Sequence, residues 1–188
     1  MIVVAGPPGG GKSSVFPVSK RGLDFFDADA RAAELNGGSY SAIPASIRSV
    51  VNRELESFID QHIKSRTSFT FETTLRSDIT FEQAQRAREA GFKLSMIYVA
   101  LGSVEMHLKR VRARVDGGGH GATESRLRQI HASSLINFRR AIVEFDSVVV
   151  YDNSGLAPDR VLACRRGHVK YASAQLPEWV REALPSSS

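Results

Sequence analysis

The chain has 188 residues, 42% of them hydrophobic and 24% charged, with a formal charge of +5 and one cysteine, Cys164. That length and balance belong to a single globular domain, spanning 1–188 here, and exclude a disordered segment, a collagen and a coiled coil. A lone thiol forms no internal disulfide or cysteine-rich metal site. No basic segment precedes the first apolar run, and no apolar stretch nears the roughly 18 residues of a membrane span, so a reducing, cytoplasmic setting away from membranes is expected.

Short apolar runs read as buried strands at 2–5, 23–26, 68–71, 94–101 and 147–151, with helical patterns between most of them. The alternation predicts an α/β fold with a five-stranded, mainly parallel sheet flanked by helices. Directly after the first run comes Gly6-Pro7-Pro8-Gly9-Gly10-Gly11-Lys12-Ser13-Ser14, which fits G-x-x-x-x-G-K-[ST] in the strand-to-helix context of a P-loop NTPase fold. The glycines let successive N–H groups face phosphate oxygens, and the helix that follows adds the positive end of its dipole. Lys12 is expected to face solvent and reach the β and γ phosphates of ATP, while Ser13 supplies a hydroxyl to Mg2+. Pro17 predicts a short or kinked first helix.

The second run ends in Phe26-Asp27-Ala28-Asp29, two carboxylates at the edge where open α/β sheets bind ligands. One of them suits a general base for a hydroxyl acceptor, and one suits the cap of a following helix. A helix over about 45–66 buries a stripe through Ile47, Val51, Leu55, Ile59 and Ile63. The third run leads into Glu72-Thr73-Thr74-Leu75-Arg76, where Glu72, Thr74 and Arg76 alternate as a polyol or sugar site would need, with Glu72 also suited to a place behind magnesium. Ser77 and Gly91 read as the caps of the next helix.

Eight basic residues, Lys109, Arg110, Arg112, Arg114, Arg126, Arg128, Arg139 and Arg140, face only Asp116 and Glu124 between 109 and 140. Such a cluster fits phosphate-rich ligands or a solvated helix face. Helices after Ser103 and from about Thr123 flank Gly117-Gly118-Gly119, the arrangement of a small lid over about 109–128 or of a plain helix connection. The runs 161–165 and 168–171 read as a C-terminal hairpin, and Pro177-Glu178-Trp179 opens a short last helix docked by Trp179.

The phosphate loop, the Asp-x-Asp after the second strand, the Glu-x-Thr-x-Arg after the third and the Arg-rich lid together resemble the zeta toxin family of P-loop kinases, over roughly residues 1–155. The resemblance implies phosphorylation of the sugar 3-hydroxyl of UDP-N-acetylglucosamine, with Asp29 as base, Lys12 and Ser13 on ATP and magnesium, and Glu72, Thr74 and Arg76 on the nucleotide sugar. It further implies substrate contacts from Glu56 and Asp27, a lid arginine at Arg114 and a protein antitoxin as partner. Where the family carries a second lid arginine this chain has Gly119-His120-Gly121; His120 stands in its place, or Arg126 or Arg128 supplies the charge. Asn153, in Tyr151-Asp152-Asn153-Ser154, falls where related kinases hold adenine or forms a polar turn.

Two other functions compete. A polynucleotide 5'-kinase would use the basic lid on a nucleic-acid backbone, but with one Trp and four Tyr in the chain and only Phe138 in the basic segment, stacking platforms are poor and nucleic acid is disfavoured. A nucleotide-binding regulator would hold ATP without phosphorylating any acceptor.

Overall fold

Val3, Val4 and Ala5 keep at most 1% of their surface exposed, as a strand covered on both faces requires. They belong to β1 (Ile2–Ala5) in a computed structural model that describes residues 1–16, 22–40, 42–115 and 123–184, with Arg114 and Val115 described only in backbone. The chain continues through α1 (Lys12–Val15), β2 (Asp24–Phe26), α2 (Ala28–Leu35), α3 (Ala45–Ser65), β3 (Phe69–Thr73) and α4 (Ile79–Glu89). Then come β4 (Ser95–Ala100), α5 (Val104–Val115), α6 (Glu124–Glu144), β5 (Ser147–Asp152), β6 (Asp159–Arg165), β7 (His168–Ala172) and α7 (Glu178–Arg181).

The strands form one sheet in the order β2-β3-β1-β4-β5-β6-β7. The first five in that order are parallel, as the alternation of strands and helices predicts. The expected strand number needs correction: the C-terminal hairpin is no appendage, because β6 pairs antiparallel with β5 and β7 with β6, making seven strands. Val161, Leu162 and Cys164 of β6 are buried, so the hairpin joins the hydrophobic core.

Tyr98 of β4 stacks on Phe138 of α6 with centroids 4.3 Å apart, and Trp179 of α7 packs against both rings. The Tyr98 hydroxyl is satisfied by Ser134 Oγ at 2.9 Å. Trp179 thus docks the last helix, as expected. Helix ends differ by a residue from the sequence reading at α4, where Asp78 takes the N-cap position and Gly91, at φ +89°, follows the C-cap Ala90. The first helix is indeed short, ending at Val15; Pro17 lies outside the described residues. No helix among the described residues is long and apolar enough to cross a membrane.

Because β1 lies between β3 and β4, the loops leaving β1, β2 and β3 meet at one sheet edge, beside the end of β4. The chemistry gathers there.

Candidate nucleotide and acceptor site

The phosphate loop leaves β1 with a hydrogen bond from Gly6 N to Thr73 O of 3.2 Å and closes on itself through Gly10 N to Pro7 O, also 3.2 Å. Gly6 adopts φ +144°, and a Cβ there would lie 2.0 Å from Val99 O, so no other residue fits against β4. Gly11, at φ +82°, starts α1 in left-handed backbone. Ser13 and Ser14 are exposed in the first turn of that helix.

Lys12 departs from its expected orientation toward solvent. Its side chain is 7% exposed; Nζ donates to Gly6 O at 2.9 Å and Pro7 O at 3.4 Å and pairs with Glu72 Oε1 at 3.4 Å. The reason is electrostatic: an ammonium beside the loop meets carbonyl oxygens and a carboxylate closer than water. Burial pushes the Glu72 pKa up, Lys12 pulls it back, and Asp27 and Asp29 push it further up.

On the far side of Glu72 a cleft of about 200 Å³ opens, lined among others by Asp27, Asp29, Thr74, Arg76, Arg48 and Asn52. Asp27 Oδ1 accepts from Asp29 N at 2.9 Å and Ala30 N at 3.0 Å, which makes it the N-cap of α2. Asp29 stands exposed in the first turn of that helix. Partial desolvation, followed by the charges of Arg126 and Arg48, lowers the Arg76 pKa, so these guanidinium groups share one field at the cleft. Glu56 is not among the lining residues; it accepts from Gln83 at 2.6 Å and from Arg86, and Gln83 forms the wall. Arg48 and Asn52 carry no motif, and only their polar position on the α3 pattern marked them as exposed.

Three further residues hold the loop. Asn153 Nδ2 donates to Gly10 O at 3.0 Å, and Arg110 donates to Asn153 O at 2.7 Å. Asn153 therefore touches the phosphate loop itself. His107 is 3% exposed; its Nδ1 lies 2.9 Å from Pro8 O, and its Nε2 accepts from Leu101 N at 3.0 Å. Burial holds the His107 pKa down at about 4, so the imidazole is neutral at pH 7. No sequence signal singled out His107, since its partners are backbone atoms of two distant segments.

Most of the basic cluster is committed within the protein. Arg112 and Arg128 bond Glu124, Arg128 also reaches Glu105, and Arg140 bonds Asp78 and Glu144. Arg139 pairs with Glu182 at 3.8 Å. Arg126 makes no ion pair among the described residues and is felt by Arg76. The Arg114 side chain, His120 and the glycine run 117–119 lie outside the described residues. Also among the described residues, no group of three or more His, Cys, Asp and Glu side chains could hold a metal ion. The Ser13 hydroxyl, exposed at the start of α1, is an oxygen donor of the kind magnesium takes together with phosphate oxygens and water.

No protein-family profile matches the sequence. A Haemophilus influenzae protein known only as an uncharacterized protein is 27% identical over 124 residues, covering 65% of this chain and 86% of its own length. The structure is similar to one from the PezAT chromosomal toxin-antitoxin system of Streptococcus pneumoniae, with TM-score 0.66, 16% identity, and coverage of 98% of this chain and 76% of that one. It also matches the AvrRxo1-ORF1:-ORF2 complex with ATP at TM-score 0.70 and 14% identity, over 100% of this chain and 64% of that one. A chain of the Pnkp1/Rnl/Hen1 RNA repair complex matches at TM-score 0.57 and 17% identity, over 85% of this chain and 47% of its own. These likenesses show the fold, a helix-flanked α/β sheet of the P-loop kinase-like kind.

Proposed function

We propose that this protein is an ATP-dependent kinase that transfers the γ-phosphoryl group to a hydroxyl of a nucleotide sugar such as UDP-N-acetylglucosamine. One observation carries the reading: Glu72 joins the two halves of the site, paired with the phosphate-loop Lys12 on one side and lining the carboxylate-rich cleft on the other. The ATP-bound fold neighbour and the toxin-antitoxin neighbour support the same reading.

In the reaction Lys12 exchanges its contacts with Gly6 O, Pro7 O and Glu72 for β and γ phosphate oxygens. The loop amides and the start of α1 hold the phosphates, and Ser13 would hold a magnesium ion, which would supply charge neutralisation there. Asp29 takes the proton of the acceptor hydroxyl, whose oxygen forms a bond to the γ phosphorus as the bond to the β–γ bridging oxygen breaks and ADP leaves. Arg114 and Arg126 add positive charge to the transferring group, with His120 a further donor from the lid. Glu72, Thr74, Asn52 and Asp27 offer hydrogen bonds to sugar hydroxyls. Arg48 and Arg76 suit the diphosphate of a nucleotide sugar, and Asn153 together with Gly6, Gly9, Gly10, Gly11 and Ser14 frames the ATP side. A protein antitoxin that covers this site is the expected partner, in the cytoplasm.

The test is γ-labelled ATP with magnesium, offered UDP-N-acetylglucosamine, a 5'-hydroxyl oligonucleotide, or a metabolite extract. Label on the nucleotide sugar or on another small-molecule alcohol is expected. Label on the oligonucleotide alone would replace the acceptor assignment with a polynucleotide kinase, as the RNA repair neighbour would suggest. ATP binding with no labelled product from any of the three would make the protein a nucleotide-binding regulator.

A further inference from the structure

The phosphate loop makes few hydrogen bonds of its own beyond Gly6 N to Thr73 O and Gly10 N to Pro7 O, and Pro7 and Pro8 have no N–H to offer. Pro8 O, between the two ends of that turn, takes its partner from outside the loop. His107 meets the loop there, from the first turn of α5. Leu101 N is a donor only, so Nε2 of the ring accepts and carries no proton; the neutral ring therefore holds its proton on Nδ1 and donates it to Pro8 O. One imidazole thus ties the loop to the residue that follows β4. His131 packs edge-on against the same ring, with centroids 4.9 Å apart, which leaves the imidazole little freedom to turn. Three residues along α5, Arg110 reaches the loop a second time through Asn153 and Gly10 O.

We propose that His107 is a positioning residue that pins Pro8 through its Nδ1–H, so that the loop amides are aimed at the triphosphate before it arrives. The inference rests on the reading of this loop as an ATP site and goes beyond it by assigning the loop's geometry to a side chain outside the loop. Preorganised donors need no rearrangement on binding, so releasing Pro8 weakens nucleotide affinity while leaving the transfer step nearly intact.

Two substitutions separate the two bonds of the ring. In His107→Asn the amide nitrogen falls near the Nδ1 position and keeps the bond to Pro8 O while losing Leu101. In His107→Gln the longer amide reaches the Nε2 position, keeps Leu101 N and releases Pro8. The full-length protein is measured for ATP–magnesium affinity by calorimetry, for KM and kcat, and for amide exchange at Gly9 to Gly11 without nucleotide. His107→Gln is expected to weaken ATP binding and raise KM about tenfold, the effect of one hydrogen bond, with kcat within about twofold. His107→Asn should remain within about twofold of wild type in affinity. Exchange at Gly10 should quicken in the Gln variant alone. Equal loss in both variants, or no loss in either, would overturn the pin and make His107 a packing residue. Should the wild-type protein bind no ATP at all, the functional reading fails separately. The exchange rates of the two variants still decide whether His107 orders the loop.

Discussion

Asp27 and Asp29 stand two residues apart, and the structure gives them different surroundings. Both α2 amides that Asp27 satisfies, at 2.9 and 3.0 Å, are lost in Asp27→Ala. Losing such an N-cap costs about 1 kcal/mol, and in a domain of this size that lowers Tm by roughly 2–4 °C. Asp27→Asn keeps an oxygen acceptor at the cap and should recover most of that loss. Asp29 caps nothing; its exposed carboxylate contributes only a favourable interaction with the helix dipole, so Asp29→Asn should hold Tm within about 2 °C. The rate tells the opposite story. Loss of a general base slows transfer by about 100- to 10,000-fold, so Asp29→Asn should collapse turnover while ATP affinity holds, and Asp27→Asn should stay far closer to wild type. Thermal unfolding, calorimetric ATP binding and label transfer on the same three variants make the comparison. A large rate loss in Asp27→Asn with Asp29→Asn near wild type would reverse the assignment. Small, equal effects would remove both from the role of base and move it to Glu72.

Lys12→Ala should cut phosphoryl transfer by about 100-fold or more, since it removes the one loop cation, which on the proposed reading meets the transferring phosphate. The fold should survive, visible as an unchanged circular dichroism spectrum, because Glu72 can take up a proton once its partner is gone. Gly6→Ala should destabilise the protein by more than about 2 kcal/mol in denaturant titration, because its Cβ would meet the β4 backbone at 2.0 Å and cannot be relieved by a side-chain shift. Acid should weaken the protein through His107: its folded pKa of about 4 lies below the ordinary 6.5, so the unfolded chain takes the proton first and stability falls as pH drops from 6.5 toward 4. Between pH 7 and 5 that amounts to roughly 2 kcal/mol, and it should vanish from the wild-type profile in His107→Asn, where the Glu72 contribution is unchanged and cancels.

The phosphate loop, the five parallel strands and the long helices were legible in the sequence because each is a local pattern. A glycine run follows an apolar run, and stripes recur every three or four residues, with capping residues where the stripes stop. Partnership across distance was not legible. Whether 161–165 would fold on its own hairpin or onto β5 depends on which edge of the sheet is free, and only the assembled sheet decides that. The basic cluster read as a ligand site partly because its carboxylate partners, Asp78, Glu105, Glu144 and Glu182, are spread over four elements or outside the counted window. Arg48 looked like any polar residue on a helix until α3 was laid beside the loop after β3.

The position of Lys12 bears on how a triphosphate would enter this site. With its ammonium closed against two carbonyl oxygens and a carboxylate, the loop shows no bare cation to passing anions. Entry of a triphosphate is then a displacement rather than an addition: three oxygens let go and phosphate oxygens take over. A small anion such as inorganic phosphate replaces those contacts with nothing better. A polyphosphate that also meets the loop amides and the helix start exceeds them. On the proposed reading, discrimination by chain length of phosphate would follow from the seat of one side chain. The same exchange would part Glu72 from Lys12, the neighbour that holds its pKa down, and leave burial and the charges of Asp27 and Asp29 to push it up.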